Sequence, residues 1–324
     1  MDRPASYRPP PRPETAGGAP RRVGVEIEFT GIEERGAAEL VCALYGGRVV
    51  ETDPHRFLVR DTALGDFTVE LDASATHASG DGDGGLFDKL EEAARRALGD
   101  VARTVLPCEI SCPPIPWSRL GALDDLIEEL RGHGAQGTRE SIAYAFGLQL
   151  NPEAADMSAD WILAAMRAYL LLSEGLRAAM RIDPTRRVFA FAQRFSEPYV
   201  GLVLDPAYAP SLPRLMDDYL EHNPSRNREL DMLPLFAEID PDRVARAVRS
   251  DSVKPRPTFH YRLPNCDLQD PDWGLALEWN RWVAVEALAE DREALGWAVA
   301  DWFAHRFRGA GDDWPAASSA LLER

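Results

Sequence analysis

The clearest pattern in the chain lies at residues 22–29, where Val23, Val25, Ile27 and Phe29 alternate with Gly24, Glu26 and Glu28. A period of two puts the apolar set on one strand face and both acids on the other. Shorter runs of β character recur at Gly47–Glu51, Arg56–Arg60, Phe67–Asp72, Cys108–Ser111, Tyr144–Asn151, Tyr199–Leu204 and Thr258–Leu263. Helical periodicity is strongest over Phe87–Val105, Leu120–Arg131, Ser158–Arg181 and Trp273–Arg308, with Ser158 suited to cap the third of these. Strands grouped with helices, without strict alternation, predict an α+β fold whose sheet carries helices on one side. Prolines at positions 4, 9, 10, 11, 13 and 20, with no apolar period, predict a disordered leader over residues 1–21. With no internal repeat and no strong linker, a single domain over residues 22–308 and a tail over residues 309–324 are expected.

Composition narrows the classes. The 324 residues hold 45% hydrophobic and 27% charged side chains, near globular averages, so a globally disordered chain is excluded. The net charge of −17, from 36 basic and 53 acidic groups, argues against nucleic acid or an anionic membrane as main partner. Lys89 and Lys254 are the two lysines; the remaining cations are arginines, whose planar donors suit carboxylate and phosphate groups. No run approaches the roughly 18 apolar residues of a membrane span, and no apolar signal core is seen near the first residues. Cys42, Cys108, Cys112 and Cys266 form neither a metal knuckle nor a disulfide framework, and Cys108 and Cys112 read as small buried thiols. A soluble, cytoplasmic protein is the expectation.

The chemistry-bearing residues are acids on strands. Glu26 and Glu28, at i and i+2 on one face, stand about 7 Å apart along the backbone. Glu70 and Asp72 repeat the arrangement beside Val69 and Leu71, and Glu109 ends a short strand before Pro113. Read alone, each is equally an amphipathic strand with a solvated acidic face. Pooled across a curved sheet they make a multi-carboxylate site, costly without a hard cation such as Mg²⁺ or Mn²⁺. The Gly80–Gly85 loop lacks the ligand pattern of a calcium-binding EF-hand.

Five segments, in order, resemble the amidoligase family within the glutamine synthetase and glutamate–cysteine ligase superfamily of carboxylate–amine ligases. Gly24-Val25-Glu26-Ile27-Glu28-Phe29 resembles that family's G-x-E-x-E-F strand, and Cys108-Glu109-Ile110-Ser111-Cys112-Pro113 is similar to its G-x-E-h-v-S-P element. Gly147-Leu148-Gln149-Leu150-Asn151 stands where the family carries G-h-H-x-H. Arg226-Asn227-Arg228 resembles its N-R stretch, and Thr258-Phe259-His260-Tyr261-Arg262 its closing T-x-E-F-R strand. The resemblance spans about residues 22–290 and departs at three positions: Gln149 and Asn151 replace histidines, and His260 replaces a glutamate.

The resemblance implies a curved, mainly antiparallel sheet like the glutamine synthetase catalytic domain. It implies ATP- and metal-dependent amide formation through an acyl phosphate, from small-molecule or peptide carboxylate and amine substrates. Glu26, Glu28, Glu70 and Glu109 would bind Mg²⁺ or Mn²⁺, and His260 would join them. Arg262 would contact the transferred phosphate, with Glu109 also catalytic, and Arg226, Arg228, Asn151 and Gln149 would serve nucleotide or substrate. Plainer roles stand beside these: an ion-pair partner for Arg262, exposed loop arginines for Arg226 and Arg228, and a satisfied half-buried histidine for His260. His55 and His77 read as loop residues, the tryptophans of 273–302 as core, and Glu278 and Glu286 as solvated. A metal-assisted hydrolase and a non-catalytic binder of the same fold are the competing readings.

Overall fold

The computed structural model describes residues 6–71, 107–137, 147–182, 193–248, 253–308 and 314–323. The expected helix at Phe87–Val105, together with Asp72, His77 and the Gly80–Gly85 loop, lies outside the described residues.

Eight strands form one open, curved antiparallel sheet: β1 (Arg22–Phe29), β2 (Arg48–Asp53), β3 (Arg56–Thr62), β4 (Gly65–Leu71), β5 (Cys108–Pro116), β6 (Leu148–Pro152), β7 (Leu230–Asp231) and β8 (His260–Tyr261), in the order β2-β3-β4-β5-β1-β6-β8-β7. The fold is α+β. The first strand in sequence is central, hydrogen-bonded to β5 on one side and β6 on the other. Its apolar alternation explains the placement, because Val23, Val25, Ile27 and Phe29 are fully buried on the helix-covered face.

The described helices are α1 (Glu34–Tyr45), α2 (Asp124–Gly132), α3 (Ala159–Ala179), α4 (Glu197–Val203), α5 (Leu212–His222), α6 (Leu233–Ile239), α7 (Pro241–Ala247), α8 (Leu275–Glu290), α9 (Arg292–Arg308) and α10 (Trp314–Leu322). Helix α1 packs under β2 to β5, and α3 and α8 meet β8 through aromatic contacts of Tyr169 and Trp282 with Tyr261. Ser158 caps α3 as expected, its hydroxyl accepting from the Trp161 amide. No described helix is long and apolar enough to cross a membrane.

Three expectations are corrected. Tyr199–Val203 belongs to helix α4, with Leu204 as its C-cap, and not to a strand: Pro198 fits the first helical turn, and Tyr199 and Val203 bury one helical face at i and i+4. The long periodic run 273–308 is two helices, because Asp291 leaves the helical conformation and its carboxylate accepts from the Ala294 amide, restarting the chain as α9. Residues 6–21 are not a disordered leader but a strap laid across the helices. The Trp279 indole donates to the Arg8 carbonyl at 2.8 Å, Arg12 stacks over Trp161, and the Tyr7 hydroxyl meets Asp124 at 2.6 Å. Extended proline-rich backbone needs no internal hydrogen bonds, so side chains from the domain satisfy its carbonyls.

Within that strap Arg21 is 2% exposed and forks onto Glu286, which is 1% exposed, at 2.7 and 2.5 Å. Glu286 also accepts from the Trp282 indole, and Glu278 is buried against Arg281 and Trp273. Neither acid is solvated, as helical periodicity alone suggests. The far end of the chain is likewise docked. The Ser318 hydroxyl inserts between the Leu171 carbonyl and the Gly175 amide of α3, where a Cβ on Gly175 would meet the Ser318 carbonyl at 2.7 Å.

Burial raises the thiol pKa of Cys108, Cys112 and Cys266, with neighbouring acids adding to the effect. Iodoacetamide is therefore expected to label only Cys42 in the native protein, and all four cysteines after denaturation. Mass-spectrometric detection of native labelling at Cys108 or Cys266 would contradict the packing described.

Candidate active site

The polar face of the sheet is organised by register. Across β3, β4, β5 and β1 the residues Arg56, Glu70, Glu109 and Glu28 oppose one another in a single row. One step along, Thr68, Ser111, Glu26 and Gln149 form a second row that continues onto β6, and Gly24 faces Asn151 beyond it. These rows floor a cavity of about 670 Å³.

Three directly adjacent glutamates repel one another, since cross-strand neighbours are only about 5 Å apart at Cβ. Each is turned toward a protein partner. Glu70 pairs with Arg56 at 3.1 Å, Glu109 accepts from the Ser111 hydroxyl at 2.5 Å, and Glu28 accepts from the Gly147 amide at 2.8 Å. Glu26 accepts from the Asn151 amide nitrogen at 2.7 Å. Among the described residues no three His, Cys, Asp or Glu side chains gather closely enough to hold one metal ion. The donor set itself, four carboxylates with amide oxygens beside them, has the all-oxygen chemistry of a Mg²⁺ or Mn²⁺ site.

A polar chain runs along β6 and β8. The Gln149 amide nitrogen donates to Asn151 Oδ1 at 2.7 Å and meets His260 Nδ1 at 3.0 Å, so the three positions that depart from the family pattern are linked to one another and to Glu26. Burial, followed by the charges of Arg262, Arg226 and Arg256, pushes the His260 pKa well below its ordinary value. That direction favours the neutral ring, and its Nδ1 accepts from Gln149 in the tautomer that carries the proton on Nε2. Phe259 and Tyr261 point the other way and are fully buried against Trp282.

Toward the β8–β7 end of the sheet the cavity lining is cationic. Arg262 and Arg226 share the fully buried Asp231, at 3.4 and 3.7 Å. Burial raises the Asp231 pKa while Arg262 opposes it; burial and then Arg262 lower that of Arg226. Arg177, at the end of α3, ion-pairs with the buried Glu229, and Arg194 with Glu174. Lys254 and Arg256 lie at the edge of the same cavity, apart from the Asp231-linked pair.

Nine of the ten residues singled out from sequence therefore line one cavity: Glu26, Glu28, Glu70, Glu109, Gln149 and Asn151 on its floor, with Arg226, His260 and Arg262 beside them. Arg228 stands apart. Its guanidinium donates to the carbonyls of Arg194 and His222 and lies over Phe195, which ties the 193–194 segment to the end of α5. Sequence reasoning missed Arg56, Arg177, Arg194, Lys254 and Arg256. Lys254 and Arg256 carried a signal, a Lys-Pro-Arg-Pro run immediately before the closing strand. Arg177 carried none, since it occupies an ordinary polar position of a long helix.

The α+β sheet thus gathers carboxylates and guanidinium groups in the lining of one cavity. A model of the family described as "Putative amidoligase enzyme" matches residues 19–284. The chain belongs to that amidoligase family, and is a ligase-type enzyme. No curated protein matches it.

Proposed function

We propose that the protein is an ATP- and divalent-metal-dependent ligase that joins a carboxylate to an amine through an acyl phosphate. The observation that carries this reading is that the Glu28, Glu109, Glu70 row and the Arg226 and Arg262 pair line one cavity, in a member of the amidoligase family. The carboxylates carry negative charge that a cation would neutralise; Arg226 and Arg262 carry donors that match phosphate oxygens.

In the reaction, a carboxylate oxygen attacks the γ-phosphorus of ATP and the bond to ADP breaks. The amine nitrogen then attacks the acyl carbon, phosphate leaves with its bonding electrons, and the nitrogen loses a proton. Glu26, Glu28, Glu70 and Glu109 would hold Mg²⁺ or Mn²⁺, which supplies charge neutralisation for the phosphates. Arg262 and Arg226 would orient the γ-phosphoryl group through fixed donors, braced from behind by Asp231. Gln149 and Asn151 hold one Glu26 oxygen in place. His260 would offer a nitrogen, one that suits Mn²⁺ better than Mg²⁺, only on releasing its Nδ1 contact with Gln149.

A second reading, nucleotide binding without turnover, is favoured by one observation: the Gln149, Asn151 and His260 side chains satisfy one another. Calorimetric titration of ATP with Mg²⁺ or Mn²⁺, repeated with EDTA, is expected to show binding that the chelator abolishes. Absence of binding with either metal would sink the ligase reading. ADP release on adding carboxylates and amines separates turnover from binding alone.

A further inference from the structure

The segment Val253-Lys254-Pro255-Arg256-Pro257 forms the rim of the cavity ahead of β8. Each cation precedes a proline, which biases it to extended backbone, while the prolines fix their own φ. The segment is tied on both sides: the Arg256 amide donates to the Pro234 carbonyl at 3.1 Å, and the Ala154 amide donates to the Pro257 carbonyl at 2.8 Å. Extended backbone sends residues at i and i+2 to the same side, about 7 Å apart. Both Lys254 and Arg256 line the cavity while remaining exposed to solvent. Unlike Arg56, Arg177, Arg194, Arg226 and Arg262, neither forms an ion pair with a described acid. Lys254 is one of two lysines in a chain of net charge −17, so a cationic pair without an acidic partner among the described residues stands against the field of the whole molecule.

Resting on the ligase reading, we propose that Lys254 and Arg256 are a docking subsite for the carboxylate substrate, and that this substrate is an acidic peptide. Acid side chains at i and i+2 of an extended peptide repeat at the same spacing of about 7 Å. One acid group of the peptide enters the cavity toward Arg262, and its neighbours lie along the rim. Because the rim is pre-extended, docking costs little ordering. The pair selects the acyl donor and takes no part in phosphoryl transfer.

The test uses fluorescently labelled hexaglutamate, with fluorescence anisotropy for the peptide and calorimetry for ATP in the presence of Mn²⁺. The wild-type protein is expected to bind the peptide in a salt-sensitive manner. The Lys254→Gln/Arg256→Gln double variant should bind it about tenfold more weakly, as two exposed charge pairs imply, with ATP affinity unchanged. Equal losses of peptide and ATP affinity would assign the rim to the nucleotide and overturn the proposal. So would unaltered peptide binding in the variant, or no peptide binding by the wild type. Wild-type protein that binds ATP but not peptide overturns the docking subsite alone; protein that binds peptide but not ATP overturns the ligase reading and leaves the subsite standing. Both residues are exposed, so the variant keeps its fold, which circular dichroism checks.

Discussion

Glu109→Gln, and equally Glu28→Gln, is expected to lower metal-dependent ATP affinity by at least about a hundredfold while leaving the apo-protein as stable or slightly more so. The opposite signs come from the row itself. Glu28, Glu109 and Glu70 are direct cross-strand neighbours, so a neutral amide at either position relieves repulsion that the apo-protein carries. That same charge is what a divalent cation would require. Calorimetry of ATP with Mn²⁺, paired with thermal unfolding without metal, reads both effects. A variant that loses stability and keeps ATP affinity would show the row to be structural, and the metal assignment would fail. Glutamine is nearly isosteric with glutamate, so packing is conserved and the comparison isolates charge.

Arg21→Leu is expected to destabilise the fold by about 3–5 kcal/mol, because it strands Glu286 as an uncompensated buried charge. The arginine also donates to the carbonyls of Glu153 and Arg12, so its loss frees the strap from the domain edge. The paired variant Arg21→Leu/Glu286→Leu should recover much of that loss, since a buried ion pair replaced by apolar side chains is often near neutral. It would not recover all of it, because the Trp282 indole loses its acceptor. Urea unfolding of the two variants measures the difference. A single-variant loss below about 1 kcal/mol, the range of exposed ion pairs, would mean that the strap does not bury the pair in solution.

The strap also shows where sequence reading stops. Residues 6–21 have no apolar period, and their order comes from partners far along the chain, Trp161, Trp279, Asn280 and Glu286. Glu286 sits on a helix whose polar and apolar positions hardly segregate, so nothing local distinguishes a buried acid from a solvated one. The Tyr199–Leu204 run misleads for a related reason: six residues rich in apolar, β-branched and aromatic side chains fit either a buried strand or a short helix, and Pro198 decided it.

The period-two alternation of residues 23–29 by itself determined that β1 is a half-buried strand with Glu26 and Glu28 on its polar face, and the hydrophobic patterns elsewhere determined an α+β chain with helices on one side of its sheet. Such features depend on side-chain periods of two and 3.6, which are properties of the local backbone. Only the tertiary structure decided that β1 lies between β5 and β6, and so that Glu28, Glu109 and Glu70 stand in one row. It alone brought Arg177 from the end of α3, and Arg226 and Arg262 around Asp231, to the same cavity. Register and long-range charge pairing join residues tens to hundreds of positions apart, and no local period encodes which strand becomes whose neighbour.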